Sequence, residues 1–182
     1  MSVVDSVHTN LESVEVPNTQ FALITDADHT LFVPWTTRLY PDVDEFFDRV
    51  NPDITALVSA NPDKQLAEAR ANIIDAQIYV IPHRKKWIKT SLFGEAVEKA
   101  RSSADIGSVV VLGDRWLMDV FLGKVVARAA GLNVSARLIR RSNEQPPTLV
   151  DELILNRVER VGYAGATALK LDGFFRPQPE AV

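Results

Sequence analysis

Four short apolar runs, each passing directly into polar or acidic residues and then a helical pattern, constrain this chain more than any other feature. They are QFALITD, ITALVS, AQIYVI and GSVVVLGD, and they recur about every 30 residues, the length of a strand-helix unit. A short β-favouring run without polar alternation fits a strand covered on both faces. Between the runs, PDVDEFFDRV, NPDKQLAEARANIID, SLFGEAVEKARSS and WLMDVFLGKVVARAAG space their apolar residues helically. The first two open with Pro and Asp and the last ends on Gly, as helices do. NVSARLIR reads as a fifth strand and TLVDELILNRVERV as a final helix. Such alternation predicts a parallel sheet with right-handed crossovers. The expected fold is therefore α/β, a three-layer Rossmann-type sandwich around a mostly parallel central sheet.

The first twenty residues are polar and aperiodic and read as an arm; residues 21–162 form the core and 163–182 a tail. With 182 residues, 46% of them hydrophobic, the chain is long enough to bury a sizeable core. A net charge of -4 argues against a general nucleic-acid binder. The absence of cysteine excludes disulfides, thiolate metal ligands and thiol nucleophiles. No apolar run approaches the ~20 residues that span a bilayer. MSVVDSVHTNLESVEVPNTQ carries acids but no Lys or Arg, unlike a secretory or transit signal. An intracellular location is the expectation, with no nucleic-acid partner.

In folds of this kind, polar residues at the carboxyl ends of the strands form the ligand site. Asp26 and Asp28 end the first strand, with Thr30 beyond; Ser59 and Asn61 end the second. His83, Arg84, Lys85 and Lys86 follow the third, and Asp114, Arg115 and Asp119 follow the fourth. Several carboxylates without a His or Cys partner make a hard oxygen site suited to Mg²⁺. Hydroxyl, amide and cationic groups from Thr30, Ser59, Asn61, Lys85 and Arg115 supply donors for phosphate oxygens. A metal and a lysine would let a carboxylate nucleophile approach a phosphate dianion. A second aspartate could then protonate the leaving oxygen and activate water.

Each residue also has a plainer reading. Asp26 and Asp28 are good turn residues, and Ser59 and Asn61 precede Pro62 as an ordinary helix-capping region. HRKK fits a solvated surface run, and Asp119 an acid placed favourably at a helix start. His29 reads as a turn residue that tolerates an unusual backbone conformation. Trp35, Trp87 and Trp116 read as packing residues, with a membrane interface as the other possibility. Leu149, Leu153, Ile154 and Val158 share a helical face, read as core packing or else as a peripheral membrane helix.

The order DADHT, the strand end at Ser59, a lysine after the third strand and GDRWLMD resembles the four motifs of the haloacid dehalogenase-like (HAD) phosphohydrolases, over residues 21–131. The resemblance implies Asp26 as nucleophile, Asp28 as acid/base, Ser59 on the phosphoryl group and Lys86 balancing its charge. Lys85 and Lys89 are the other candidates for that lysine. It further implies Mg²⁺ held by Asp26, Asp114, Asp119 and the backbone carbonyl of Asp28. Spacings of about one βαβ unit between motifs leave no room for a large cap domain. An open site of that kind suits phosphates on large or surface-bound partners. Within the capless members, DADHTL, VPW, LYPDVDEFF, PHRKKW and GDRWLMDVFLGKVVA are similar to the phosphatidylglycerophosphate phosphatases of mitochondria and bacteria. His29, Trp87 and Met118 depart from the Asn, Pro and Thr usual there. The implied substrate is a membrane phospholipid. The implied place is the matrix side of the mitochondrial inner membrane in a eukaryote, or the cytoplasm in a bacterium. The rival readings are the same chemistry on a phosphoprotein, a nucleic-acid end or a soluble metabolite, and a silent phosphate-binding regulatory module.

Overall fold

The computed structural model describes residues 6–59, 61, 63–80, 90–103 and 106–141. Among them, six strands form one sheet in which every pairing is parallel. The strands are β1 (Ser6–His8), β2 (Phe21–Asp26), β3 (Ile54–Val58), β4 (Ile78–Val80), β5 (Ser108–Gly113) and β6 (Asn133–Ile139). The helices are α1 (Val43–Val50), α2 (Lys64–Ile73), α3 (Thr90–Ser103) and α4 (Leu122–Ala129). A π-helical stretch, Trp116–Phe121, leads into α4. The expected final helix and tail, and His83, Arg84, Lys85, Lys86, Trp87 and Lys89, lie outside the described residues.

The apolar runs are continuous because the sheet is covered on both sides. Along β2 every residue is buried, and successive side chains go to opposite layers. Ala22 and Ile24 join Ile54, Ala56, Val58, Val109 and Val111 under α3 and α4, where Phe93, Val97 and Ala127 close the layer. Phe21 and Leu23 join Leu57, Val110 and Leu112 under α1 and α2, against Val43, Phe46, Val50 and Ala71. The result is helix, sheet and helix in three layers.

Strand order is β1-β6-β5-β2-β3-β4. From β2 the chain steps outward through β3 and β4, then returns to the other side of β2 to place β5 and β6. Right-handed crossovers demand that the helices change face when the direction of travel reverses. The split of α1 and α2 from α3 and α4 follows that rule. The reversal leaves a crevice at the carboxyl ends of β2 and β5, where the outgoing chains part.

Residues 6–16 are more than the arm the sequence suggests. Ser6, Val7 and His8 pair in register with Arg137, Leu138 and Ile139 of β6, while Leu11 and Val14 are fully buried in the second layer. A three-residue strand is too short to show period-two alternation, so polar composition concealed it. Its anchors are remote in sequence. The Arg49 guanidinium donates to the carbonyls of Leu11 (2.8 Å) and Val14 (3.0 Å), and the Asp42 carboxylate accepts the Leu11 N–H (2.6 Å). Asp42 also receives Arg141 Nη1 on both oxygens, at 2.7 and 2.6 Å. The same guanidinium lies 4.3 Å from the Tyr40 ring centre and donates to the Thr30 carbonyl at 2.7 Å. No helix among the described residues is long and apolar enough to cross a membrane.

Candidate functional site

Asp26 is the last residue of β2, opposite Val58 of β3 in the sheet register. Asp114 follows the last residue of β5, the neighbouring strand on the other side. Asp119 comes back to the same place by a local route. The Val120 N–H donates to the Arg115 carbonyl (3.2 Å), a π-type bond five residues long that widens the first turn. The Arg115 backbone N–H donates to Asp119 Oδ2 (3.0 Å), and this holds the carboxylate toward the strand end. Gly113 makes the return possible, because a Cβ there would overlap the Asp119 side chain.

One carboxylate oxygen from each of Asp26, Asp114 and Asp119 lies within 4.8 Å of the others. Asp119 is fully buried, Asp26 nearly so, and Asp114 half-buried. Carboxylates gathered this closely repel one another, and burial removes the water that would screen them. A divalent cation resolves both costs, and an all-oxygen donor set matches hard metals of the Mg²⁺ or Ca²⁺ kind. The three aspartates therefore form a group able to hold a metal ion. Each was expected from the sequence, and the structure brings all three together.

Asp28 is oriented by a different set of contacts. Its Oδ1 accepts Nη2 of Arg70 (2.7 Å) and the backbone N–H of Trp35 (3.0 Å). Burial opposes ionisation here. The hydrogen bond from Arg70, the Trp35 N–H and the positive charges of Arg70 and His29 outweigh it, so the carboxyl lies below the ordinary carboxylate range. The plainer reading is thus partly met, since Asp28 does bond the turn that follows. His29 takes a left-handed conformation, φ 60°, as its reading as a turn residue requires.

Thr30 is fully buried, and its Oγ1 has no hydrogen-bond partner among the described residues. Ser59 and Asn61 are buried beyond β3 and organise the start of α2. Ser59 Oγ accepts the Asn61 N–H (3.1 Å), and Asn61 Oδ1 accepts the Asp63 N–H (2.9 Å). Asp63, rather than Ser59 or Asn61, then caps the helix by accepting the Leu66 N–H. That leaves Asn61 Nδ2 buried without a partner among the described residues. Arg115 is half-buried next to Asp114.

Trp35 corrects the packing expectation: it is 70% exposed and has φ 59°. It occupies the tip of a narrow excursion closed by the Val33 N–H on the Arg38 carbonyl and the Tyr40 N–H on the Leu31 carbonyl. The left-handed backbone at the tip turns the indole outward.

Two buried cations escaped the sequence reading. Arg70 is fully buried, and Lys124 is 1% exposed. Each shares its helix's buried positions with small residues, Arg70 with Ala67 and Ala71, Lys124 with Gly123 and Ala127. A charge at an apolar-stripe position was the available signal.

Fold and site together define a parallel α/β protein with a three-carboxylate, metal-competent centre at its topological switch point. Comparison with family models and with curated proteins returns no match for this chain.

Proposed function

We propose that this chain is a Mg²⁺-dependent, capless phosphomonoester hydrolase of the HAD type, working through an aspartyl-phosphate on Asp26. The observation that carries the reading is the convergence of Asp26, Asp114 and Asp119 within 4.8 Å at the ends of adjacent strands. Buried Thr30 Oγ1 and Asn61 Nδ2, without partners among the described residues, add donors that phosphate oxygens would satisfy.

In this reading an Asp26 oxygen attacks phosphorus while the ester P–O bond breaks, and Asp28, carrying the proton it took from water in the preceding turnover, passes that proton to the leaving oxygen. Water then attacks phosphorus and Asp28 takes that water's proton. The acyl-phosphate P–O bond breaks, phosphate departs and the Asp26 carboxylate is restored. Mg²⁺ held by Asp26, Asp114, Asp119 and the carbonyl of Asp28 would neutralise charge that builds up during transfer. One lysine of 85, 86 and 89 would share that task.

Phosphatidylglycerophosphate is the substrate we favour, giving phosphatidylglycerol. Trp35 supports a substrate met at a surface, because its exposed indole projects from a residue whose backbone N–H donates to Asp28 and indoles favour lipid–water boundaries. The test is phosphate release from this lipid in mixed micelles and from p-nitrophenyl phosphate, with Mg²⁺, for wild type and Asp26→Asn. Lipid turnover far above the generic ester, absent in the variant, is expected. Turnover of the generic ester alone would overturn the lipid assignment, and turnover of neither would overturn the hydrolase.

A further inference from the structure

Arg70 reaches from the buried face of α2 across to the loop that follows β2, 42 residues earlier in the chain. Its guanidinium makes four contacts there. Nη2 donates to Asp28 Oδ1 at 2.7 Å and lies 3.5 Å from the Val33 carbonyl, Nε donates to the Thr36 carbonyl at 2.7 Å, and the plane lies 5.1 Å from the Phe32 ring centre. The side chain is fully buried. A stability role alone makes this an expensive choice, because a buried ion pair commonly gains little over an apolar replacement. What such a pair does supply is a fixed geometry.

The geometry is specific. Arg70 and the Trp35 N–H both engage Oδ1 of Asp28, so Oδ2 is the oxygen that neither holds. A planar guanidinium with a second bond to the Thr36 carbonyl cannot swing without breaking both. The backbone around it shows how firmly the arrangement is set. Trp35, a bulky residue, is kept at φ 59°, a conformation that persists only where the surroundings over-determine it. Those surroundings are the Arg70 bonds to the residues on either side of the turn, together with Asp28 itself.

We propose that Arg70 is a positioning residue that presents Asp28 Oδ2 to the water resolving the aspartyl-phosphate. This rests on the hydrolase reading above. In the second half-reaction the water oxygen bonds to phosphorus, its proton passes to Asp28 Oδ2, and the bond from phosphorus to Asp26 breaks. An acceptor oxygen that rotates freely spends little time in line with the water, so losing the clamp slows this step most.

The test uses p-nitrophenyl phosphate, whose leaving group departs as a stable anion and needs no proton. Formation of the phosphoenzyme is then independent of Asp28, and only its breakdown reports the clamp. Wild type, Arg70→Met, Arg70→Lys and Asp28→Asn are compared by the amount of acid-trapped phosphoenzyme divided by steady-state turnover. Both quantities scale with the concentration of folded enzyme, so partial unfolding of a variant cancels in the ratio. Arg70→Met is expected to raise the ratio about tenfold or more, in the direction of Asp28→Asn, with Arg70→Lys between it and wild type. An unchanged ratio in Arg70→Met, with phosphoenzyme and turnover falling together, would overturn the positioning role and leave the hydrolase standing. Wild type that forms no phosphoenzyme and releases no product would overturn the hydrolase itself.

Discussion

A Cβ at Gly113 would occupy the space of the Asp119 side chain, so the last residue of β5 has to be glycine for the metal-competent group to close. Gly113→Ala is expected to cost about 1–3 kcal/mol through overpacking and to abolish the rise in melting temperature on adding Mg²⁺. Thermal unfolding with and without Mg²⁺ checks both, and a full Mg²⁺ response in the variant would contradict this account of the site. Asp26→Asn should behave in the opposite sense. Without metal it relieves carboxylate repulsion and should melt higher than wild type, the usual exchange of function for stability; with Mg²⁺ it should gain nothing. Asp26 and Asp114 were legible in the sequence because each adjoins an apolar run whose end fixes its place, and Asp119 because it follows Asp114 by little more than a helical turn. Arg70 was not. Its partner is 42 residues away, and a lone arginine in QLAEARANI reads as solvent-facing until Ala67 and Ala71 are known to be buried beside it.

Between elements, a buried tie is the Asp42–Arg141 pair, 8% and 7% exposed. It joins the start of α1 to the residues after β6, and through Leu11 N and the Thr30 carbonyl it fixes the leading segment and the loop after β2. Asp42→Ala leaves a buried guanidinium uncompensated and should cost about 3–5 kcal/mol, read from denaturant midpoints. Strand β1 responds to pH. Burial, then the charge of Arg137, holds the His8 imidazole below its ordinary value, and Glu15 only partly offsets them. The unfolded segment therefore takes up a proton before the docked one does. Docking of β1 is at full strength above pH 6.5 and weakens as pH falls from there toward the lower value of the folded state. The amide of Arg140, bonded to the His8 carbonyl at 2.7 Å, reports this. Its intrinsic-rate-corrected hydrogen exchange should accelerate between pH 6.5 and more acid conditions, and a His8→Gln variant should show no such acceleration. Strands β2 to β6 were legible from their apolar runs. β1 was not, because tertiary pairing, rather than its own composition, makes it a strand.

At the scale of the molecule, β2 lies in the interior of the sheet and the order reverses around it, which places the carboxylates where two crossovers diverge. Cation binding there acts on the whole fold. If Mg²⁺ binds only the folded chain, a hundredfold excess over its Kd adds about 2.7 kcal/mol, a shift that calorimetry would read and that chelation would reverse. Alternation of strands and helices told the class of fold, but it carried no information about strand order, which depends on which helix covers which face. That order has a consequence for how the protein is made. Ser6 pairs with Arg137, so β1 has no neighbour in the sheet until β6, the last described strand, has been synthesised. At about 5–20 residues per second, β2 through β5 have several seconds in which to assemble without it. During that interval the β5 edge of the nascent sheet stands open until β6 covers it, and the polar, acid-bearing leading segment stays in solution until β6 gives it a partner.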